Sequence, residues 1–356
     1  MSPQKDGALR YQRLLPIVLV LALAAIFFIN HTFFPPPMLR VQDRRPMMDT
    51  WVEITVYDRS QQVAEAAIDA AFLRMEDVER IASIHVEGAD AFRLNDQGRL
   101  DDPSLELVEI IEAAKEYYAL TAGTFDITVE PLLDLWRHRE GAEVQFWELN
   151  PDVQQGAIDE ALALVGADRI RIISDPHRSI LLQPGMKITL GGIAKGYIVD
   201  QGLSSLRQAG IVHAMINAGG DIGVFGGKPM GEKWVLALRD PADHEAFLVR
   251  FVLKEGAVAT SGNYERYFDR EARVGHIIDP RTGRSARASS SASVVAGTGM
   301  EADALATAVF ILGPIAGIDL VHAIPGVEVL VVGYDEPQRI YRSDGLGVFT
   351  EENGGI

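Results

Sequence analysis

The 356-residue chain has no cysteine. That excludes disulfides, thiolate metal sites, a cysteine nucleophile and a lipid-attachment cysteine, and leaves the redox compartment open. Excess positive charge is also missing: 33 Lys and Arg face 50 Asp and Glu, for a net charge of −17. An acidic body argues against nucleic acid as a partner, because phosphate backbones reward basic patches. No fixed period recurs, so no repeat architecture is expected. No segment is biased enough to read as disordered. Long apolar runs are absent but for one.

That run is Leu14 to Ile29, preceded by Lys5, Arg10 and Arg13 and closed by Asn30 to Phe34 and prolines 35–37. Continued to Phe34 it reaches the ~20 residues that a membrane span needs. A basic flank before an apolar run is the shape of a signal peptide or signal anchor. Phe27-Phe28-Ile29-Asn30 supplies no small residues for cleavage, which favours an uncleaved anchor helix over about 14–34. The positive-inside rule then places the N-terminus in the cytoplasm and the folded part outside. The expected division is an anchor at 1–35 and one folded domain at 36–356.

Within the folded part, Trp51 to Tyr57 alternates as a first strand, and 61–82 repeats apolar residues at helical spacing. His85 to Pro103 reads as a polar stretch. Ser104 suits the N-cap of a helix to Leu120, and Gly123 its stop. Beyond Gly210 the chain turns β-rich, interrupted by a helix from Glu301 to Leu312. Helices first and strands later favour an α+β fold over strict βαβ alternation.

The chain is organised around Leu190-Gly191-Gly192-Ile193-Ala194-Lys195-Gly196-Tyr197. Glycines, a lysine and a helix from Tyr197 to Gln208 suit an anion, since helix N-termini and lysine both favour phosphate. The stretch also reads as an ordinary strand–turn–helix corner, and its spacing is not that of a Walker A loop. Four further stretches hold more polar residues than packing needs: Asn217-Ala-Gly-Gly-Asp221, Thr260 to Glu265, His276 to Gly283, and Glu301 to Thr307. In the last, Asp303 and Thr307 share a helix face at i and i+4. They suit a hard cation such as Mg²⁺, or Asp303 caps the helix. His276, taken alone, reads more readily as a structural histidine than as a base.

Seven motifs stand in one order: Met48-Asp-Thr, Thr121-x-Gly-x-Phe-Asp126, Gly191-Gly-Ile-Ala-Lys-Gly196, Asn217-Ala-Gly-Gly-Asp221, Thr260-Ser-Gly262, His276-Ile-Ile-Asp-Pro-x-Thr-Gly283 and Asp303-Ala-x-Ala-Thr307. Together they resemble the ApbE family of FAD:protein FMN transferases, from about Met48 to Leu312. The resemblance implies an ApbE-like α+β fold of mixed or antiparallel sheets with flanking helices. It implies FAD as substrate, Mg²⁺, transfer of FMN to a Ser or Thr hydroxyl of an acceptor protein, and release of AMP.

On the family's pattern, Asp303, Thr307 and the carbonyl of Gly192 hold the metal. Met48, Thr124, Phe125, Asp126, Lys195 and Ile277 contact FAD. Two positions depart: Thr189 stands where the family usually has Asp, and Asp49 where it has Gly. Thr189 can hydrogen-bond FAD but supplies no carboxylate. His85 stands near the place of a family tyrosine. Diphosphate cleavage by a hydroxyl calls for charge neutralisation and positioning, with Lys195 on the same oxygens as the metal. His276 is the expected base, with Asp279 in reserve. The expected acceptor is a membrane redox subunit, and the expected location is the bacterial inner membrane, single-pass, with the catalytic domain facing the periplasm.

Overall fold

The structure, a computed structural model, describes residues 19–21, 37–239, 247–262, 267–269, 274–334 and 339–350. The expected anchor helix lies outside the described residues except for 19–21, as do Asn263 to Glu265. Among the described residues no helix is long and apolar enough to cross a membrane.

Eight strands build the principal sheet: β1 (Leu39–Met47), β2 (Thr50–Asp58), β3 (Ala214–Ala218), β4 (Asp221–Phe225), β5 (Gly256–Gly262), β6 (Ser289–Ala296), β7 (Glu328–Gly333) and β8 (Ile340–Arg342). They pair side by side in chain order, and every pair is antiparallel. The sheet is therefore one meander with helical insertions. The larger insertion, between β2 and β3, holds α1 (Gln61–Ala82), α2 (Asp90–Gln97), α3 (Leu105–Leu120), α4 (Glu130–Trp136), α5 (Pro151–Leu162) and α6 (Ala194–Gln208). The smaller, between β6 and β7, holds α7 (Gly299–Leu312) and α8 (Pro314–His322).

Helix starts follow local chemistry. Ser60, Ser104 and Thr298 accept the backbone N–H groups of Val63, Leu107 and Glu301, which satisfies donors that a helix start leaves orphaned. After α3 the chain turns left-handed at Gly123, whose N–H returns to the Tyr118 carbonyl. The 85–103 stretch is not wholly loop: its polar residues conceal α2 and the strand Arg99–Asp101, anchored by buried Leu94 and Leu100.

One sheet face is covered by helices. Val52, Ile54, Val56, Ala214 and Ile216 join Ala67, Phe72, Met75, Val199 and Leu203 in a single core. Removing such side chains from water is worth roughly 1.5–3 kcal/mol for each large one. The opposite face carries the hairpin Trp234–Arg239 and Phe247–Leu253, whose Trp234, Leu236 and Phe251 pack on Val224, Val258 and Leu330. A further apolar cluster joins α4 and α5 to Val274 and Ile278, beside His276.

A candidate active site where two hairpin turns meet two helix starts

The β1–β2 turn is Met48-Asp49, with φ of 54° and 55°. Two successive left-handed residues make the tight hairpin turn whose twist matches the strands. Asp tolerates that conformation better than most residues, which accounts for its standing where the family has Gly. The neighbouring β3–β4 turn is Gly219-Gly220, and a Cβ on Gly219 would fall 2.4 Å from Thr50 Oγ1. The Met48 N–H donates to Glu79 Oε1 on α1 at 2.8 Å.

The glycine–lysine stretch enters from the side. Asn95 on α2 grips it by accepting the Ile188 N–H at 2.7 Å and donating to the Ile188 carbonyl at 2.8 Å. The Thr189 N–H donates to the Ile127 carbonyl, and the Ala194 N–H to the Leu190 carbonyl. The helix begins at Ala194, three residues before the position expected from sequence. Lys195 and Gly196 thus sit in the first helical turn. There the Gly196 N–H donates to Asp303 Oδ2 at 3.0 Å. That N–H is therefore committed to Asp303 rather than open to an anion.

Lys195 reaches β4 instead: its Nζ lies 3.2 Å from Asp221 Oδ2. Asp221 is buried, and burial raises its pKa against the opposing pull of Lys195. Asp303, also buried, is pushed up to about 8, first by burial and then by the nearby Asp221 charge. Asp303 does not cap α7, since Thr298 does. It stands on the second turn with its carboxylate inside the protein. One turn on, Thr307 Oγ1 lies 3.2 Å from Ser261 Oγ. A Cβ on Gly192 would come within 3.0 Å of that same Thr307 oxygen.

These groups line one cavity of about 540 Å³, within the usual range of small-ligand sites. Of the residues singled out from the sequence, Met48, Thr124, Phe125, Asp126, Thr189, Gly192, Lys195, His276, Ile277, Asp303 and Thr307 line it. His85 lines it as well. Phe125 is fixed by its N–H to Thr121 Oγ1 and by the edge of Tyr117. Asp126 is largely committed to the scaffold. Its oxygens accept the Thr128 N–H and hydroxyl and the Ala167 N–H, while burial raises its pKa. Asp279 is not among the lining residues, and Arg281 grips both its oxygens at 2.9 Å. It is a turn residue rather than a reserve base.

Among the lining residues that sequence reasoning did not single out are Asp221, Ser261, Glu79 and Arg137. Asp221 and Ser261 lay inside flagged motifs without being singled out. Glu79 had no signal beyond its place on a helix. Arg137 is held by Glu130 and Asp134 at 2.9 and 2.5 Å, and the i, i+4, i+7 spacing of these three was the available signal.

Among the described residues no cluster of three or more His, Asp or Glu could hold a metal. The donor set here is different: one buried carboxylate, the hydroxyls of Thr307 and Ser261, and the main chain at Gly192. These are hard oxygen donors with few charges, which fits Mg²⁺ shared with a substrate diphosphate.

The ApbE family pattern matches residues 48–331. The FAD:protein FMN transferase of Escherichia coli K12 is 30% identical over 243 residues, covering 66% of this chain and 68% of that protein. That of Treponema pallidum is 29% identical over 326 residues, covering 84% and 86%. Among solved structures, the ApbE protein of Thermotoga maritima superposes with a TM-score of 0.77 at 31% identity, covering 88% of this chain and all of that one. Flavin transferase ApbE from Vibrio cholerae gives 0.72 at 25%, with 88% and 100% covered. A match across most of the chain, with the motifs converging on one cavity, makes this protein a member of the ApbE family.

Proposed function

We propose that the protein transfers the FMN half of FAD to a Ser or Thr hydroxyl of an acceptor protein, releasing AMP. The observation that carries this reading is the convergence on one cavity of Lys195, Asp303, Thr307 and His276, drawn from α6, α7 and the 274–279 segment. The relatives' names supply the reaction class.

The acceptor oxygen forms a bond to the FMN phosphorus, and the bond from that phosphorus to the bridging oxygen breaks. AMP leaves with the bridging oxygen, and the hydroxyl proton passes to the imidazole of His276. Mg²⁺ held by Asp303, Thr307 and the Gly192 carbonyl would polarise the diphosphate and stabilise the leaving AMP. Lys195, steadied by Asp221, brings a fixed positive charge to the same oxygens without reorganisation. Met48, Phe125 and Ile277 supply the apolar walls that orient the dinucleotide. The apolar run 14–34 anchors the chain in the bacterial inner membrane with this cavity on the periplasmic side, where a membrane redox subunit is the acceptor.

The test uses the full chain in detergent with FAD, Mg²⁺ and an acceptor domain, reading the acceptor's intact mass. A gain equal to FMN that needs Mg²⁺ supports the reading. AMP release at the same rate without acceptor, and no mass gain, would favour a FAD-hydrolysing member. Thr189 in place of a carboxylate is the feature behind that second reading.

A further inference from the structure

The end of the sheet farthest from the cavity carries a second cleft. Arg40 on β1, Tyr57 on β2, Met215 on β3, and Lys228, Trp234 and Val235 line it. The Tyr57 and Trp234 rings lie 5.7 Å apart, and Lys228 Nζ stands 5.9 Å from the Trp234 ring. The loop 228–232 is closed by the Lys228 N–H to the Glu232 carbonyl. It lifts Met230 out on a left-handed residue, 95% exposed. Leu39, Val212 and Val235 add exposed apolar surface at the same end.

Charge sets this end apart. Lys254 packs under the loop, its carbonyl accepting the Gly227 N–H, and Lys233 precedes Trp234. Three of the chain's seven lysines gather here with Arg40, in a protein of net charge −17. The acidic residues beside these bases in the sequence are Asp58, Glu232 and Glu255; Glu328 on β7 and Asp344 after β8 stand at the same end of the sheet, farther along it. Of these, Asp58 accepts the Ser60 N–H, and Glu255 pairs with Arg207 at 2.7 Å.

The geometry points to this end as a docking face for an anionic phospholipid surface, with the cleft receiving a headgroup phosphate between Arg40 and Lys228. Tyr and Trp beside bases and an exposed methionine make up the chemistry of a membrane interface, and anionic lipid attracts such bases. The chain's own course supplies the second argument. The apolar run ends at Phe34, and β1 begins at Leu39, in register with Asp58 next to the cleft. Only four residues separate that run from this end of the sheet, which favours this face over the cavity end as the one next to the bilayer. β1 then runs nine residues outward to Met47, about 30 Å at strand rise. The cavity thus opens about 30 Å from the lipid, and an acceptor must present its hydroxyl at that height. This inference rests on the anchor reading above.

The absence of cysteine makes the test direct. Met230→Cys and, as a reference beside the cavity residue His85, Val86→Cys are each labelled with an environment-sensitive fluorophore in the full chain. The labelled chains are reconstituted into phosphatidylcholine vesicles with or without phosphatidylglycerol, carrying a headgroup-level quencher lipid. Quenching at position 230 at least threefold above that at 86, dependent on phosphatidylglycerol and lost in Arg40→Glu with Lys228→Glu, supports docking. That double variant is expected to transfer FMN to a soluble acceptor domain at the wild-type rate. Equal quenching at both positions, or quenching indifferent to charge reversal, overturns it. So does a label at 230 that ignores lipid and responds only to acceptor protein. Flotation separates the two readings. A chain that fails to float with phosphatidylcholine loses its anchor, while quenching at 230 on phosphatidylglycerol vesicles still decides the docking face.

Discussion

The N–H of Gly196 donates to the Asp303 carboxylate across 3.0 Å. This bond ties the first turn of the helix bearing Lys195 to the helix bearing Thr307. It is possible because α6 and α7 cross at glycine: a Cβ on Gly196 would stand 2.1 Å from the Gly299 carbonyl oxygen. The groups proposed to hold the cation and the phosphates are therefore set by one helix crossing.

Gly196→Ala forces that crossing apart. Overpacking a close contact costs about 1–3 kcal/mol, so a clear fall in Tm is expected, with FMN transfer reduced more than stability alone explains. Gly191→Ala is the control, since its nearest neighbour is Thr189 Oγ1 at 3.7 Å. Equal behaviour of the two variants in thermal melts and transfer assays would refute the crossing argument.

Asp303→Asn keeps shape and removes charge. Loss of a group that stabilises transition-state charge costs about 10²-fold or more, and that fall in transfer rate is expected. A bound ion stabilises only the folded state, so the wild type should gain Tm with Mg²⁺ and FAD and the variant should not. Without metal the variant should melt at or above the wild-type temperature, because the buried carboxylate beside Asp221 is costly to ionise. A retained Mg²⁺-dependent shift would take Asp303 out of the metal site.

How much of this was legible beforehand varied with the physics. Motif residues could be read because seven stretches stand in one order and together resemble a known family; singly, each also had a packing explanation. The long amphipathic α1 was legible from its apolar period. β1 was not read as a strand. Its Arg40, Gln42, Arg44 and Arg45 lie on a sheet edge that faces water, so alternation carries no apolar signal. Strand order was out of reach too, because β2 and β3 are neighbours although 155 residues lie between Asp58 and Ala214, and nothing local encodes their pairing. The start of α6 was placed too late because Gly196 looks like a helix breaker; only its packing against Gly299 explains it inside the helix.

Asp200 offers a pH test away from the cavity. Its two oxygens accept the Gly299 and Met300 N–H groups at 2.7 and 2.9 Å, holding the start of α7. Burial outweighs those bonds and pushes its pKa from 3.8 up to about 6. The folded state therefore binds this proton more tightly than the unfolded chain. Stability from the neutral form is complete below about pH 4 and is lost as pH rises through 6. Relative to Asp200→Asn, the wild type should lose about 3 kcal/mol across that window. Urea melts of both proteins at pH 4, 5 and 6.5 measure it; parallel curves would show that the carboxyl titrates normally.

His276 lines the cavity on the stretch between Val274–Gly275 and Ile278–Asp279, where packing of Val274 and Ile278 on α4 and α5 fixes the backbone. As the proton acceptor it acts in the chemical step and not in FAD binding. His276→Ala should therefore lower kcat for FMN transfer by about 10²–10⁴-fold with KM for FAD within about threefold of wild type. Phe125, Lys195 and Ile277 still bind the dinucleotide in that variant. The opposite split, a raised KM with kcat intact, would make His276 a binding residue. Asp279 could not then take over as base, because Arg281 occupies both its oxygens. The proton would have to leave through water or through a carboxylate of the cavity such as Glu79, whose pKa burial already raises. Glu79→Gln in the His276→Ala background would show which, since a further fall in kcat requires the carboxylate route.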